Sequence, residues 1–552
     1  MSRRDAARSS ALGPIDRVVE RAETLAGAWS ARARASTTIG QERAILRLFG
    51  VHGIDRSGRP LAGAAVDRWL ASAREGLGGG IALPFTIAML EYDLEPQQLA
   101  LDVASGAVDL ALEAELLREP ERRKMAETEA RRLASAAIER IDSDRTARRE
   151  LIDLLGEARR PWLGTTLSEP DLDGALDEAT ELALAGFDLL RVEVPIGREF
   201  AEHMHGAGLE VPEWHPRDRS GRSRIPEQEE GDPAPTGSQR ALARLRRVTD
   251  GVAAERRGYV RLATAIPPLG VPEGAVVAAF ERVDLVEADP ISEIVAAGVD
   301  PDRSLADHAF ARKLHRRADT LISIGPGPLV VAPDLVAGLP ADAATRSGRA
   351  FALQLIGVAL ARADGLPPDR IVVGASPAWL ADEPGAGSRV LGEVTVRRAA
   401  LPGHVMRFDE PAWVDPESMS AASWPFIVAA GLTRSGEASM VMRRPGNGRR
   451  AMVTGSRAAA SVAYELAAAS PPGPLEGAAA DHARAVVDAA LDTLERLADR
   501  GWRAVVGEPV ARDEESEAGR GRRRDGIGGD AVAERTETFD PFDHLERRSQ
   551  PR

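Results

Sequence analysis

The chain has 552 residues, 43% of them hydrophobic but only 4% aromatic, so aliphatic and alanine side chains must fill its cores. A net charge of −14 argues against a nucleic-acid-binding protein, which needs a basic surface to displace counterions. The absence of cysteine excludes disulfides, thiolate metal sites, cysteine nucleophiles and iron–sulfur clusters. Such a length implies two to four domains, or one large barrel with attachments.

The first 25 residues include basic side chains but lack the unbroken apolar core of a signal peptide. No stretch approaches the ~18 apolar residues of a membrane-spanning helix, so the expectation is a soluble, cytoplasmic protein. Lys124 and Lys313 are the only lysines. Any Schiff-base chemistry must use one of them or a lysine from another chain. Lys124 lies in a charged run that reads as a solvated helix face, and Lys313, flanked by arginines, also reads as part of a surface helix.

Along the chain, residues 14–150 read as mostly helical. Segments 15–25 and 62–73 carry apolar residues three and four apart, and 42–55 is a short helix closed by glycine. Pro96 suits the first turn of another helix. Residues 120–159 are helical and heavily charged, which places them on the outside. From Trp162 the rhythm changes to short apolar runs alternating with helical patterns. The runs are 162–166, 187–194, 259–264, 283–286, 320–324, 371–374, 404–408 and 438–442. Eight such runs predict an α/β fold, a (β/α)8 TIM barrel; an open doubly wound sheet is the alternative. The clearest unit is 258–292, where Pro272 opens a helix with one apolar face between two strands that must run parallel. A proline-rich, charged insertion at about 209–240 follows the second strand, as a lid or as disorder. The expected division is a helical accessory region over 1–155, a barrel over 156–450, C-terminal helices over 451–510 and a charged, glycine-rich tail over 511–552.

In a closed barrel, chemistry gathers where the strands end. Position alone nominates Thr165, Thr166, Arg191, Glu193, Arg198, Thr264, Glu287, Asp289 and Ser323, with Arg191 and Arg198 available for an anion. Alternate residues of a strand share a face, so Glu287 and Asp289 could form the acid–base pair of a stand-alone lyase or hydrolase. The plainer reading makes these acids loop residues or helix caps. His203 and His205 lack a third ligand, so no metal site is predicted.

Several blocks together resemble the α subunit of D-lysine 5,6-aminomutase. They are ERAILRLFGVHGIDRSGRPLAGAAVD (42–67), LEPQQLALDVASGAVDL (94–110), GYVRL (258–262), PEGAVVAAFERVD (272–284), RRRDGIGGDAV (522–532) and FDPF (539–542). Their order holds over roughly 41–542. The resemblance implies a TIM-barrel subunit with accessory helices, paired with a smaller β subunit that carries a cobalamin-binding Rossmann domain. It implies adenosylcobalamin and pyridoxal phosphate as cofactors, with the pyridoxal lysine and the cobalt-ligating histidine on the partner. The implied reaction is a radical 1,2-amino shift on lysine or a related diamino acid. The pocket departs from the family pattern. Val194 stands for the arginine of a phosphate clamp and Glu199 for its serine. Ser292 stands for a tyrosine placed against the pyridine ring, Ala297 falls near a family arginine, and Pro328-Leu329 replaces an Asp-Asn pair. A catalytically degenerate scaffold or regulatory partner of a cobalamin-binding subunit is therefore the second expectation.

Overall fold

The computed structural model describes residues 14–55, 59–73, 76–167, 172–192, 237–297, 299–325, 342–374, 386–409, 437–440, 449–469, 476–502, 532–537 and 539–542. Glu193, Arg198, His203, His205 and the insertion up to residue 236 lie outside them, as do Val194, Glu199 and Pro328-Leu329. Helix resumes at Gly237.

The chain opens with α1 (Ile15–Arg34), strand β1 (Ser36–Thr38), α2 (Ile39–Leu48), α3 (Leu61–Ser72), α4 (Ala82–Tyr92), α5 (Pro96–Ser105) and the 36-residue α6 (Pro120–Leu155). Thr38 starts α2 by accepting a hydrogen bond from the Gln41 N–H at 3.0 Å, which satisfies a donor the helix cannot. Proline occupies the first turn of α5 and of α6, where its missing N–H costs nothing. One stripe of α6, from Ala126 to Ile141 and on to Arg148, is buried while Lys124 is exposed.

Eight parallel strands follow: β2 (Trp162–Leu167), β3 (Leu189–Val192), β4 (Arg261–Ala265), β5 (Leu285–Glu287), β6 (Leu321–Ile324), β7 (Ile371–Gly374), β8 (Val405–Asp409) and β9 (Glu437–Met440). Each pairs with the next, and β9 returns to β2 in the register Trp162↔Glu437, so the sheet is a closed barrel. The open-sheet alternative is thereby overturned. Between the strands run α7 (Leu172–Ala185), α8 (Gly237–Arg256), α9 (Val271–Phe280), α10 (Pro301–Ala318), α11 (Ala343–Ala363) and α12 (Ala386–Ala400). After β9 come α13 (Arg449–Ala469) and α14 (Gly477–Arg500).

Two helices differ from their sequence reading. Every residue of α9 from Val271 to Ala279 is buried, not one face only, because α2 packs against the side turned away from the barrel. The α10 helix, read as a surface element because of its charges, is buried along most of its length and half-buried at Lys313. Its charges are met internally: Arg317 bonds Asp142, and Arg312 bonds Asp364 at 2.8 Å.

Two aspartates at the N-terminal ends of β3 and β5 repeat one device. Asp188, fully buried, accepts from the Leu163 N–H at 3.0 Å, from Arg256 at 2.7 Å and from Arg457 at 2.6 Å. Asp284 accepts from the Leu262 N–H at 2.9 Å, Tyr259 at 2.7 Å and Arg246 at 2.9 Å. Each carboxylate ties a strand to its neighbour and draws helix arginines onto the barrel's lower rim, where paired burial is tolerated. The tail returns to the start of the chain. Strand β10 (Val532–Glu534) pairs antiparallel with β1, Arg535 donates to Gln41 at 2.8 Å, and buried Phe542 lies 6.2 Å from Phe49.

Candidate functional site

The barrel interior is layered. Trp162, Leu189, Ala263, Leu285, Leu321, Val372 and Val405 form one buried apolar cluster. Below it, Arg261 lies 3.8 Å over the Trp162 ring and pairs with Glu157 at 2.7 Å, which plugs the N-terminal end. Two residues further along the strands, toward their C-terminal ends, the same inward parity delivers Arg191, Glu287, Ser323 and Arg407.

These four side chains meet. Arg407 Nη1 donates to Glu287 Oε1 at 2.7 Å and to Ser323 Oγ at 3.0 Å. Arg191 Nε lies 2.6 Å from the same carboxylate oxygen. Both guanidiniums are nearly buried, at 11% and 10% exposure, while Glu287 keeps 31%. Burial alone would raise the Glu287 carboxyl, but the two arginines outweigh it and hold it down at about 2. It is therefore a fixed anion at any physiological pH, an organiser of two cations and not a proton carrier.

The other position-based candidates divide by parity. Thr166 is the cross-strand partner of Arg191 and shares its inward face. Thr165 pairs with Leu190 and Thr264 with Val286, both part of the outer core. These two threonines are fully buried against the helix layer and are withdrawn from the mouth. Asp289 also leaves it. The strand ends at Glu287, and Asp289 instead accepts from the Ile291 N–H and from Ser292 Oγ, both at 3.0 Å. Its Oδ1 lies against Gly357 of α11, outside the barrel. Glu287 and Asp289 thus face different layers, and the acid–base pair of a stand-alone lyase or hydrolase is not formed. Arg407 was missed by position alone. Its signal was parity, since it lies two residues past the floor residue Val405. Among the described residues, no three His, Asp or Glu side chains gather as a metal site. No described helix is long and apolar enough to cross a membrane.

Comparison with known proteins agrees with this architecture. Residues 12–201 and 229–394 match the family model for the D-lysine 5,6-aminomutase TIM-barrel domain of the alpha subunit. The lysine 5,6-aminomutase alpha subunit of Acetoanaerobium sticklandii is 25% identical over 340 residues, covering 61% of this chain and 59% of that protein. Its counterpart from Fusobacterium nucleatum subsp. nucleatum is 24% identical over 349 residues, covering 62% and 59%. The chain thus spans about three fifths of the length of these curated relatives. Among solved structures, a rubisco-like protein from Burkholderia fungorum aligns at 14% identity with a TM-score of 0.33, covering 62% of this chain and 68% of that one. With more than half its length matched to the family model, the chain belongs to the family of the D-lysine 5,6-aminomutase α-subunit TIM-barrel domain.

Proposed function

We propose that this chain is the barrel subunit of an adenosylcobalamin- and pyridoxal-phosphate-dependent aminomutase, acting on lysine or a related diamino acid. Its partner would be a smaller subunit with a cobalamin-binding Rossmann domain. The observation that carries the reading is the polar layer of Arg191, Glu287, Ser323 and Arg407, set above a sealed apolar floor at the end of the barrel where catalytic groups gather. The family supplies the reaction class; the site supplies donors of a suitable kind.

The donor set fits a pyridoxal phosphate. Two guanidiniums and the hydroxyls of Thr166 and Ser323 face one lumen, and phosphate and phenolate oxygens call for such donors. Bound there, pyridoxal phosphate would carry the migrating amino group, and adenosylcobalamin would supply the radical that starts the migration. The chain's own residues bind and orient. Glu287 sets the two guanidinium planes, Arg407 fixes Ser323, and the apolar floor beneath excludes water from below. In this reading the corrin and its cobalt are held by the partner.

A second reading, a scaffold that keeps the subunit interface but not catalysis, has one specific support. Ser292, at the position of the family's ring-stacking tyrosine, spends its hydroxyl on Asp289 at the start of a short helix, Pro290–Ser292. Mixing the purified chain with a cobalamin-binding partner, pyridoxal phosphate and a diamino acid separates the two. Pyridoxal absorbance with turnover supports the aminomutase; a stable complex with neither supports the scaffold and refutes the aminomutase.

A further inference from the structure

Behind the rim of the barrel, a chain of buried polar side chains runs from the C-terminal helix α14 to the ends of two strands. Gln354 of α11 donates its amide Nε2 to the Ile324 carbonyl at 3.1 Å and to the Gly374 carbonyl at 2.8 Å. These are the last residues of β6 and β7. Its Oε1 accepts from Arg397 Nε of α12 at 3.0 Å. Arg397 also donates to Glu393, whose Oε1 lies 3.2 Å from His482 Nε2 of α14. Gln354, Arg397 and Glu393 are all buried. Burial alone would raise the Glu393 carboxyl, but Arg397, then His482 and Ser347, hold it down at about 2. With Arg397 held by an ionised Glu393, the Gln354 amide has one orientation. Flipped, it would set its oxygen against two carbonyls and its N–H against a guanidinium.

The two carbonyls border the polar layer of the mouth. Ile324 follows Ser323 directly, and Gly374 is the cross-strand partner of Arg407. Ser323 and Arg407 stand on strands separated by β7, yet they are joined at 3.0 Å. At this level β7 offers only Gly374, two residues past the floor residue Val372, which leaves the lumen open between them. Gly357, nearly one turn past Gln354 on the same face of α11, lets the helix approach this closely, since a Cβ there would lie 3.0 Å from Ile324 Cγ2. We propose that Gln354, held by Arg397 and Glu393, is a positioning residue for the barrel mouth. It fixes the spacing of β6 and β7, and through it the distance at which Arg407 meets Ser323. Its importance for function rests on the mouth being the cofactor site. Apolar side chains would suffice to pack α11 against the sheet; what the amide adds is a defined distance between two strand ends.

The chain has no cysteine, so Ser323→Cys places a single thiol beside Arg407. Its ionisation is read from the ultraviolet absorbance of the thiolate, against the same chain with Ser323. Arg407 favours the thiolate, so adding Gln354→Met should raise the midpoint by about one pH unit as the guanidinium moves away. Asp188→Asn in the S323C chain weakens the opposite end of the barrel and should leave the midpoint in place. An unchanged midpoint in Q354M overturns the proposal. An equal shift in D188N also overturns it, because the midpoint would then report stability alone. If Q354M does not fold, Gln354→Asn, one methylene too short to reach both carbonyls, decides by the same midpoint. The assay uses neither pyridoxal phosphate nor a partner, so its failure is distinct from failure of the aminomutase reading.

Discussion

Replacing Glu287 by glutamine tests the electrostatic design of the barrel mouth. The substitution keeps the shape but removes the anion that lies between Arg191 and Arg407, whose nitrogens approach one oxygen at 2.6 and 2.7 Å. A carboxyl held at about 2 against an ordinary 4.5 corresponds to roughly 3 kcal/mol at about 1.4 kcal/mol per pH unit. With the side chain 31% exposed, screening trims this to about 2–3 kcal/mol. The sign is that of a depressed acid. The stabilisation is fully present above pH 4.5 and disappears as the pH falls toward 2. Thermal or urea melts of wild type and E287Q at pH 7 should therefore differ by that amount, and the gap should narrow steadily below pH 4.5. Adding Arg407→Met to E287Q should restore part of the loss, because removing both partners of a buried pair costs less than stranding one. Equal stability at pH 7, or a gap unchanged down to pH 3, would refute the reasoning.

Other consequences follow from particular contacts. Asp188→Asn strips the charge from a fully buried carboxylate that holds Arg256, Arg457 and the Leu163 N–H, and should cost roughly 3–5 kcal/mol in a denaturant titration. Gly348→Ala drives a Cβ to within 2.5 Å of Ala489 Cβ and 2.6 Å of the Val486 carbonyl, where α11 crosses α14. The helices must part, at about 1–3 kcal/mol, read as a lowered melting temperature. His315 is held down to about 3 by burial, then by His308 and Arg312. Its contribution to stability is complete above pH 6.5 and is lost as the pH falls toward 3, so H315L should flatten the stability profile between pH 6.5 and 4.

The barrel was legible in the sequence because parallel strands covered on both faces appear as short, continuous apolar runs, and all eight runs found strands. The same property hid which residues face inward. A strand apolar on both sides carries no alternation to read, so Thr165 and Thr264 looked as eligible as Thr166, and only the cross-strand register separates them. Arg407, in Val-Met-Arg-Phe-Asp, gave little sign of its place because apolar residues flank it on both sides, so the run shows no alternation that marks an inward face. The α10 helix misled for the opposite reason. Its charges suggest solvent, but they are partners for arginines and acids on helices far away in sequence. The Asp289 cap was available as a plain alternative, and the end of β5 at Glu287 decides for it.

The central claim is that the mouth of this barrel receives a pyridoxal group delivered with a companion subunit. The most direct measurement is the pyridoxal absorption spectrum of the complex with a cobalamin-binding partner, taken with wild-type chain and with Arg407→Met. The account predicts a spectral band that forms only when both chains are present and shifts or weakens in R407M. A band identical in the variant, or one that the partner produces unaided, would contradict it.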